Sequence, residues 1–109
     1  MLFRSKLASM NIQALALKAE EAETFLKSVA NRNRLMILCE LHRGECAVGE
    51  LQERIGLSQS SLSQHLARLR ADGLVTTRRQ SQTIFYSLGS EHVSRLVGLM
   101  HDIYCAEPA

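Results

Sequence analysis

Tryptophan is absent from this 109-residue chain, and aromatic residues make up only 5% of it. The core must therefore be aliphatic. No stretch approaches the roughly 18 consecutive apolar residues of a membrane-spanning helix. The opening MLFRSKLASM has one arginine and one lysine but lacks the apolar run of about 7–15 residues that marks a secretory signal. Residues 1–10 read as a loose N-terminal extension, with Met10 an alternative start, and residues 11–106 as the domain. Three cysteines are too few for a disulfide framework in a chain of this size, which points to a reducing cytoplasm. There is no internal repeat and no low-complexity segment.

What is present is globular: 46% hydrophobic and 22% charged residues. The length suits one domain with a real core, small enough to gain from dimerisation. The net charge of +2 is mild but unevenly placed. Residues 58–82 hold Arg68, Arg70, Arg78 and Arg79 against Asp72, whereas residues 83–109 hold Arg95 against Glu91, Asp102 and Glu107. A local basic patch fits a nucleic-acid footprint, although ordinary solvated surface can look the same.

Apolar periodicity predicts helices first. Ile12, Leu15, Ala19, Ala22, Phe25, Leu26 and Val29 form a stripe over residues 11–29. Asn31 caps a second helix, Arg32–His42, expected to be buried nearly all round and stopped by Gly44. A short third helix, Ala47–Ile55, ends at Gly56. Ser58 caps a fourth that runs to about Asp72 and stops at Gly73, with Leu62, Leu66 and Leu69 facing the core. LVTTRRQ and TIFYSL then read as a two-stranded hairpin joined by Gln80-Ser81-Gln82. Ser90 caps a last helix with Val93, Leu96, Val97, Met100 and Tyr104 on one stripe, widened by Leu99 and Ile103. The expected fold is mainly α with a β-hairpin wing, in the order ααααββα.

A short helix, a glycine turn and a second helix form a helix-turn-helix, whose second helix enters the DNA major groove by its N-terminal end. The fourth helix begins SQSSLSQH, which is poor helix-forming sequence. With the leucines inward, Gln59, Ser60, Ser63, Gln64 and Arg68 point outward. Glutamine pairs two-pronged with adenine, serine reads either base type or a phosphate, and arginine favours guanine or phosphate. Arg78, Arg79, Gln80 and Gln82 give the wing a basic tip able to follow the backbone or the minor groove. The plainer reading, a solvated polar face, does not account for the glycine stops and the wing falling in register.

LSQSSLSQHLARLRADGLVTTRRQSQTIFYSL resembles the recognition helix and wing of the arsenic-repressor (ArsR) type of bacterial winged-helix repressors. ANRNRLMILCEL and ECAVGEL resemble that family's second and third helices, and the resemblance covers about residues 15–105. It implies a winged helix-turn-helix, a homodimer paired through its first and last helices, and an operator of double-stranded DNA with two similar halves. It also implies that Gln59, Ser60, Ser63 and Gln64 face the bases.

The family's metal sensors carry Cys-Val-Cys or Cys-Val-Gly on the third helix. Here Ala47 precedes Val48 and Gly49, with Cys46 one position off, a rotation of about 100° on a helix. The family's zinc positions on the last helix are occupied by Ser90, His92, Ile103 and Ala106, one ligand where a tetrahedral site needs several. No metal and no cofactor is expected; His92, His42 and His101 with Asp102 read as lone polar residues. Cys39 and Cys105 instead match the persulfide- and oxidant-sensing branch of the family (the BigR, SqrR and HlyU-like repressors), at LMILCEL and DIYC. Alone, each cysteine reads as a small buried hydrophobe. As a pair, they imply that a persulfide or polysulfide donor gives up sulfur to one thiolate and the second cysteine closes a bridge, releasing DNA. Cys46 has no counterpart in the pair.

The expectation is a dimeric cytoplasmic repressor, not an enzyme. Its rivals are a general peroxide or disulfide-stress sensor using the same cysteines, a winged helix serving protein contacts, and a thiol enzyme built on Cys39 and His42. The last lacks any Gly-rich oxyanion loop.

Overall fold

The computed structural model describes residues 11–105. The expected extension, residues 1–10, and Ala106 lie outside the described residues. The elements are α1 (Ile12–Val29), α2 (Arg32–His42), β1 (Cys46–Ala47), α3 (Val48–Ile55), α4 (Gln59–Ala71), β2 (Val75–Gln80), β3 (Thr83–Leu88) and α5 (Glu91–Tyr104). None of these helices is long and apolar enough to cross a membrane.

Side-chain caps start the helices where the sequence places them. Asn31 Oδ1 accepts the amides of Asn33 and Arg34 at 3.0 and 3.1 Å. Ser58 Oγ accepts that of Ser61 at 3.1 Å and Ser90 Oγ that of Val93 at 3.3 Å. Each bond satisfies a first-turn N–H that has no intrahelical partner. Gly73, at φ 78°, ends α4 in the left-handed region. It lets the Leu74 amide reach back to the Leu69 carbonyl at 2.8 Å, a closure that favours glycine.

The sheet corrects two expectations. It has three antiparallel strands in the order β1-β3-β2, not two. The extra strand is Cys46–Ala47, paired to Tyr86 and Phe85, so the third helix begins at Val48 rather than Ala47. The free edge of β3 offers amides and carbonyls to any backbone that passes alongside, and the two residues that enter α3 take them. Two residues are too few for an alternating pattern, so periodicity gave no sign of the strand. Within the wing, Val75 pairs with Leu88, Arg78 with Phe85 and Gln80 with Thr83.

The core is aliphatic: Ile37, Leu38, Leu41, Leu51, Leu62, Leu66, Leu69, Leu74, Val75, Val93 and Val97 are buried, joined by Val29 and Cys46. The α2 helix is less enclosed than expected. Met36 and His42 are exposed, Leu35 and Cys39 are half-buried, and Arg34 is a buried charge. The stripes of α1 and α5 are only partly covered: Ile12, Leu15, Leu17 and Leu26 on α1, and Leu99, Ile103 and Tyr104 on α5, stay exposed. Two helices at the termini of the domain thus carry uncovered apolar surface.

Candidate nucleic-acid interface and cysteine cleft

Leu62, Leu66 and Leu69 anchor α4 by their burial. That fixes its rotation, and Gln59, Ser60, Ser63, Gln64 and Arg68 all lie exposed. The first four cluster at the N-terminal end of the helix, the end that enters a groove in this motif. Arg68 sits near the other end, with Nε 3.8 Å from Asp72 Oδ2. This exposed pair contributes little to stability, but it directs the guanidinium along the helix.

At the wing, Arg79, Gln80 and Gln82 are exposed, as the sequence suggests. Arg78 is exposed but engaged. Its Nε lies 3.0 and 2.9 Å from the two oxygens of Glu45, its Nη2 2.7 Å from Glu45 Oε1, and its Nη1 2.9 Å from Gln80 Oε1. The guanidinium carbon also sits 4.5 Å from the centre of the Phe85 ring. These hydrogen bonds hold the Glu45 carboxyl below the usual carboxylate range and raise Arg78 above its own. Glu45 is separated from Arg78 by 33 positions, and no sequence pattern links them.

Cys39 and Cys105 line one cleft of about 280 Å³, with Leu35, Met36, Glu40, Arg54 and Ile55. The cleft lies between α2, the end of α3 and the C-terminal end of α5, which packs on α2. Close approach of the helices is set at Gly98, where a Cβ would lie 3.3 Å from the His42 ring. Both thiols are free; Cys39 is half-buried and Cys105 exposed. Burial first, and then the nearby Cys105 and Glu40 charges, push the Cys39 thiol pKa up. Arg54 was not foreseen as part of this region. Its Nη1 lies 3.5 Å from Glu40 Oε2 and 3.8 Å from Cys46 Sγ, and its Nη2 is 3.4 Å from Glu50 Oε2. An arginine on a short amphipathic helix looks like ordinary solvated surface, so no pattern marks it.

Cys46 is buried at the start of β1, and desolvation raises its pKa. It does not line the cleft. His92 lies on a shallow surface with Arg95, Leu96 and Leu99, and His42 Nδ1 lies 3.4 Å from Ser94 Oγ. Among the described residues no three His, Cys, Asp or Glu side chains converge as a metal site.

A helix-turn-helix whose second helix carries an outward polar end, followed by a β wing, is the architecture of the winged-helix class. Residues 31–77 match the model of the bacterial regulatory protein arsR family. The chain is 51% identical over 98 residues to the transcriptional activator HlyU of Vibrio cholerae, covering 90% of this chain and 91% of that protein. The solved structure of reduced HlyU from that species superposes with a TM-score of 0.83 at 49% identity, covering 87% of this chain and all of that one. The biofilm growth-associated repressor of Xylella fastidiosa is 42% identical over 90 residues, 83% of this chain and 79% of its own. A homodimeric winged helix-turn-helix DNA-binding domain, Mb0332 of Mycobacterium bovis, superposes at a TM-score of 0.73 with 28% identity, covering 93% of this chain and 99% of that one. The chain belongs to the arsR family of bacterial regulatory proteins.

Proposed function

We propose that the protein is a dimeric transcriptional repressor that leaves its operator when reactive sulfur bridges Cys39 to Cys105. The observation that carries DNA reading is the exposed, uncharged end of α4, Gln59, Ser60, Ser63 and Gln64, held outward by three buried leucines. Small polar side chains allow close approach of the helix to base edges, where glutamine and serine can pair. The DNA-binding function named for Mb0332 supports the same reading. Repression follows from occupancy of a promoter, in line with the repressor named in Xylella.

Dimerisation rests on the apolar surface left uncovered on α1 and α5. Covering it with a second copy removes that surface from water and sets two α4 helices at a fixed spacing, as an operator with two similar halves requires. The homodimer named for Mb0332 is consistent with this arrangement.

The shared cleft supports the sensor. Exposed Cys105 is the accessible thiol and half-buried Cys39 the slower one. In a balanced sequence, Cys105 as thiolate attacks the inner sulfur of a persulfide RSSH, giving Cys105–S–S–R and releasing hydrogen sulfide. Cys39 takes the outer sulfur of a second RSSH, giving Cys39–S–SH and RSH. The Cys39 perthiolate then attacks Cys105–S–S–R and expels RSH, leaving a trisulfide. The two protein thiols are oxidised, and the sulfane sulfur is the oxidant. A direct disulfide needs Cα atoms roughly 4.4–6.8 Å apart, whereas an inserted sulfur relaxes that limit. Either bridge draws the end of α5 onto α2 and, because α5 is also the dimer seam, changes the spacing of the reading helices.

The test is a gel-shift titration on a duplex enriched from a random-sequence pool by the reduced protein, followed by a persulfide donor and intact mass. Salt-sensitive binding, release by the donor and added whole sulfur atoms support the reading. A protein that binds no duplex refutes the DNA assignment; binding that ignores the donor refutes the sensor.

A further inference from the structure

Arg78 and Arg79 are neighbours in the basic tip of the wing, but their surroundings differ. Arg78 spends Nε and Nη2 on Glu45, Nη1 on Gln80, and one face of its guanidinium on Phe85. Arg79 is exposed and engages no carboxylate among the described residues.

The ladder register explains how the partners meet. Ala47 and Arg78 both pair with Phe85, on opposite sides of β3. Side chains two apart on a strand share a face. Glu45, just before β1, therefore shares a face with Ser87 and Phe85 of β3 and Arg78 and Gln80 of β2. Ser87 Oγ donates to Glu45 Oε2 at 3.3 Å. The carboxylate reaches across the middle strand, joining the segment that enters α3 to the outer strand of the wing. The fork-to-carboxylate geometry is the one a guanidinium would otherwise offer a phosphate.

We infer that Glu45 and Arg78 form a clamp that sets the wing against the helix-turn-helix, making Arg78 a positioning residue and leaving Arg79 as the wing's phosphate contact. The inference rests on the DNA-binding reading above for its functional consequence, but the clamp itself does not.

Simple electrostatics predicts the opposite sign for Glu45, which makes the clamp testable. A carboxylate beside a DNA face repels phosphate, so its removal ought to tighten binding. A positioning carboxylate does the reverse. The experiment uses the full chain and its variants E45A, R78A, E45A/R78A and R79A. The first measurement is amide hydrogen exchange without DNA, which is expected to rise in β2 and β3 for E45A and R78A but not for R79A. Unchanged exchange in E45A and R78A overturns the clamp whether or not the protein binds DNA.

The second measurement is affinity against salt, on the duplex selected by the wild-type protein. E45A and R78A are each expected to lose affinity several-fold with an unchanged salt slope, and the double variant to lose no more than either alone. R79A is expected to flatten the slope by about 0.9, the loss of one phosphate contact. Tighter binding by E45A, a flattened slope for R78A, or additive losses in the double variant would each overturn the assignment. If wild-type protein selects no duplex, the DNA reading fails and the exchange data alone decide the clamp.

Discussion

Arg34 Nε donates to the Ser28 carbonyl at 2.6 Å, tying the start of α2 to the end of α1, while its Nη2 reaches the Lys27 carbonyl at 3.1 Å. Both carbonyls belong to the last turn of α1, where no further intrahelical amide is available to them. The arginine is only 7% exposed, and burial lowers its pKa. Replacing Arg34 with alanine strands the two carbonyls. The expected cost is about 1.5–3 kcal/mol, the range for hydrogen bonds from a charged donor. At fixed protein concentration the urea midpoint should fall with little change in slope. An unchanged midpoint would mean that water replaces the guanidinium at no cost.

Reading by α4 is tested at Gln64 and Gln59. Alanine at either should cost about 1–3 kcal/mol on the selected duplex and relax preference at one base position per half. Nonspecific affinity should hold, because neither side chain is charged. Equal affinity for the selected site in both variants would place the reading face elsewhere.

The elements that repeat an apolar or capping signal were legible in the sequence. Asn31, Ser58 and Ser90 cap where expected, and Leu62, Leu66 and Leu69 orient α4 as their spacing implies. Cys39 and Cys105 were paired by resemblance, and the fold brings them to one cleft. What stayed hidden depends on contacts between distant positions. The strand at Cys46–Ala47 exists because β3 has an open edge. Glu45 finds Arg78 through the ladder register, and Arg54 meets the cleft only after α3 docks. The apolar stripe of α1 was legible as a stripe, and pairing through the first and last helices came from the resemblance alone; one chain leaves Ile12, Leu15 and Leu26 uncovered.

Gly89 gives a purely steric prediction. Its amide donates to the Leu74 carbonyl at 2.8 Å, so the end of β3 lies against the start of β2. A Cβ built there collides with the Gly73 carbonyl oxygen and comes within 3.0 Å of the Leu74 carbonyl carbon. Both obstacles are backbone, so no side-chain rotation relieves them. Gly89→Ala should destabilise the fold by about 1–3 kcal/mol, as overpacking does, visible as a lower thermal midpoint. Wild-type stability would show that the two strand ends can part freely.

Thiol reactivity should follow burial. Burial raises the Cys39 pKa and so favours its neutral form, and only the thiolate is nucleophilic. At pH 7 the thiolate fraction of Cys39 is therefore below that of an ordinary cysteine. It rises as the pH passes above the ordinary thiol range. In C105S, Cys39 alkylation by iodoacetamide should be slow at pH 7 and accelerate beyond about pH 8.5, the usual cysteine pKa. Mass mapping of alkylated peptides over a pH series measures this directly. Rapid labelling of Cys39 at pH 7 would contradict the burial argument and make it the first thiol to attack the donor.

The serine variants carry the sharpest consequence. Cys39→Ser and Cys105→Ser should each bind the selected duplex when reduced, since neither thiol lies on α4 or the wing. Each should also hold that duplex when a persulfide is added, because a bridge needs both sulfurs. Cys46→Ser should release like the parent, as its thiol is buried outside the cleft, although it removes a contact to Arg54. In the parent, persulfide treatment should add sulfur mass and link Cys39 to Cys105 within one chain. Peroxide and glutathione disulfide can leave only a two-sulfur bridge, so their efficiency reports whether the thiols meet the Cα limit of roughly 4.4–6.8 Å. Release surviving the loss of Cys105 would remove bridging and leave modification of Cys39 as the switch. A link through Cys46, or between chains, would move the sensor out of the cleft altogether.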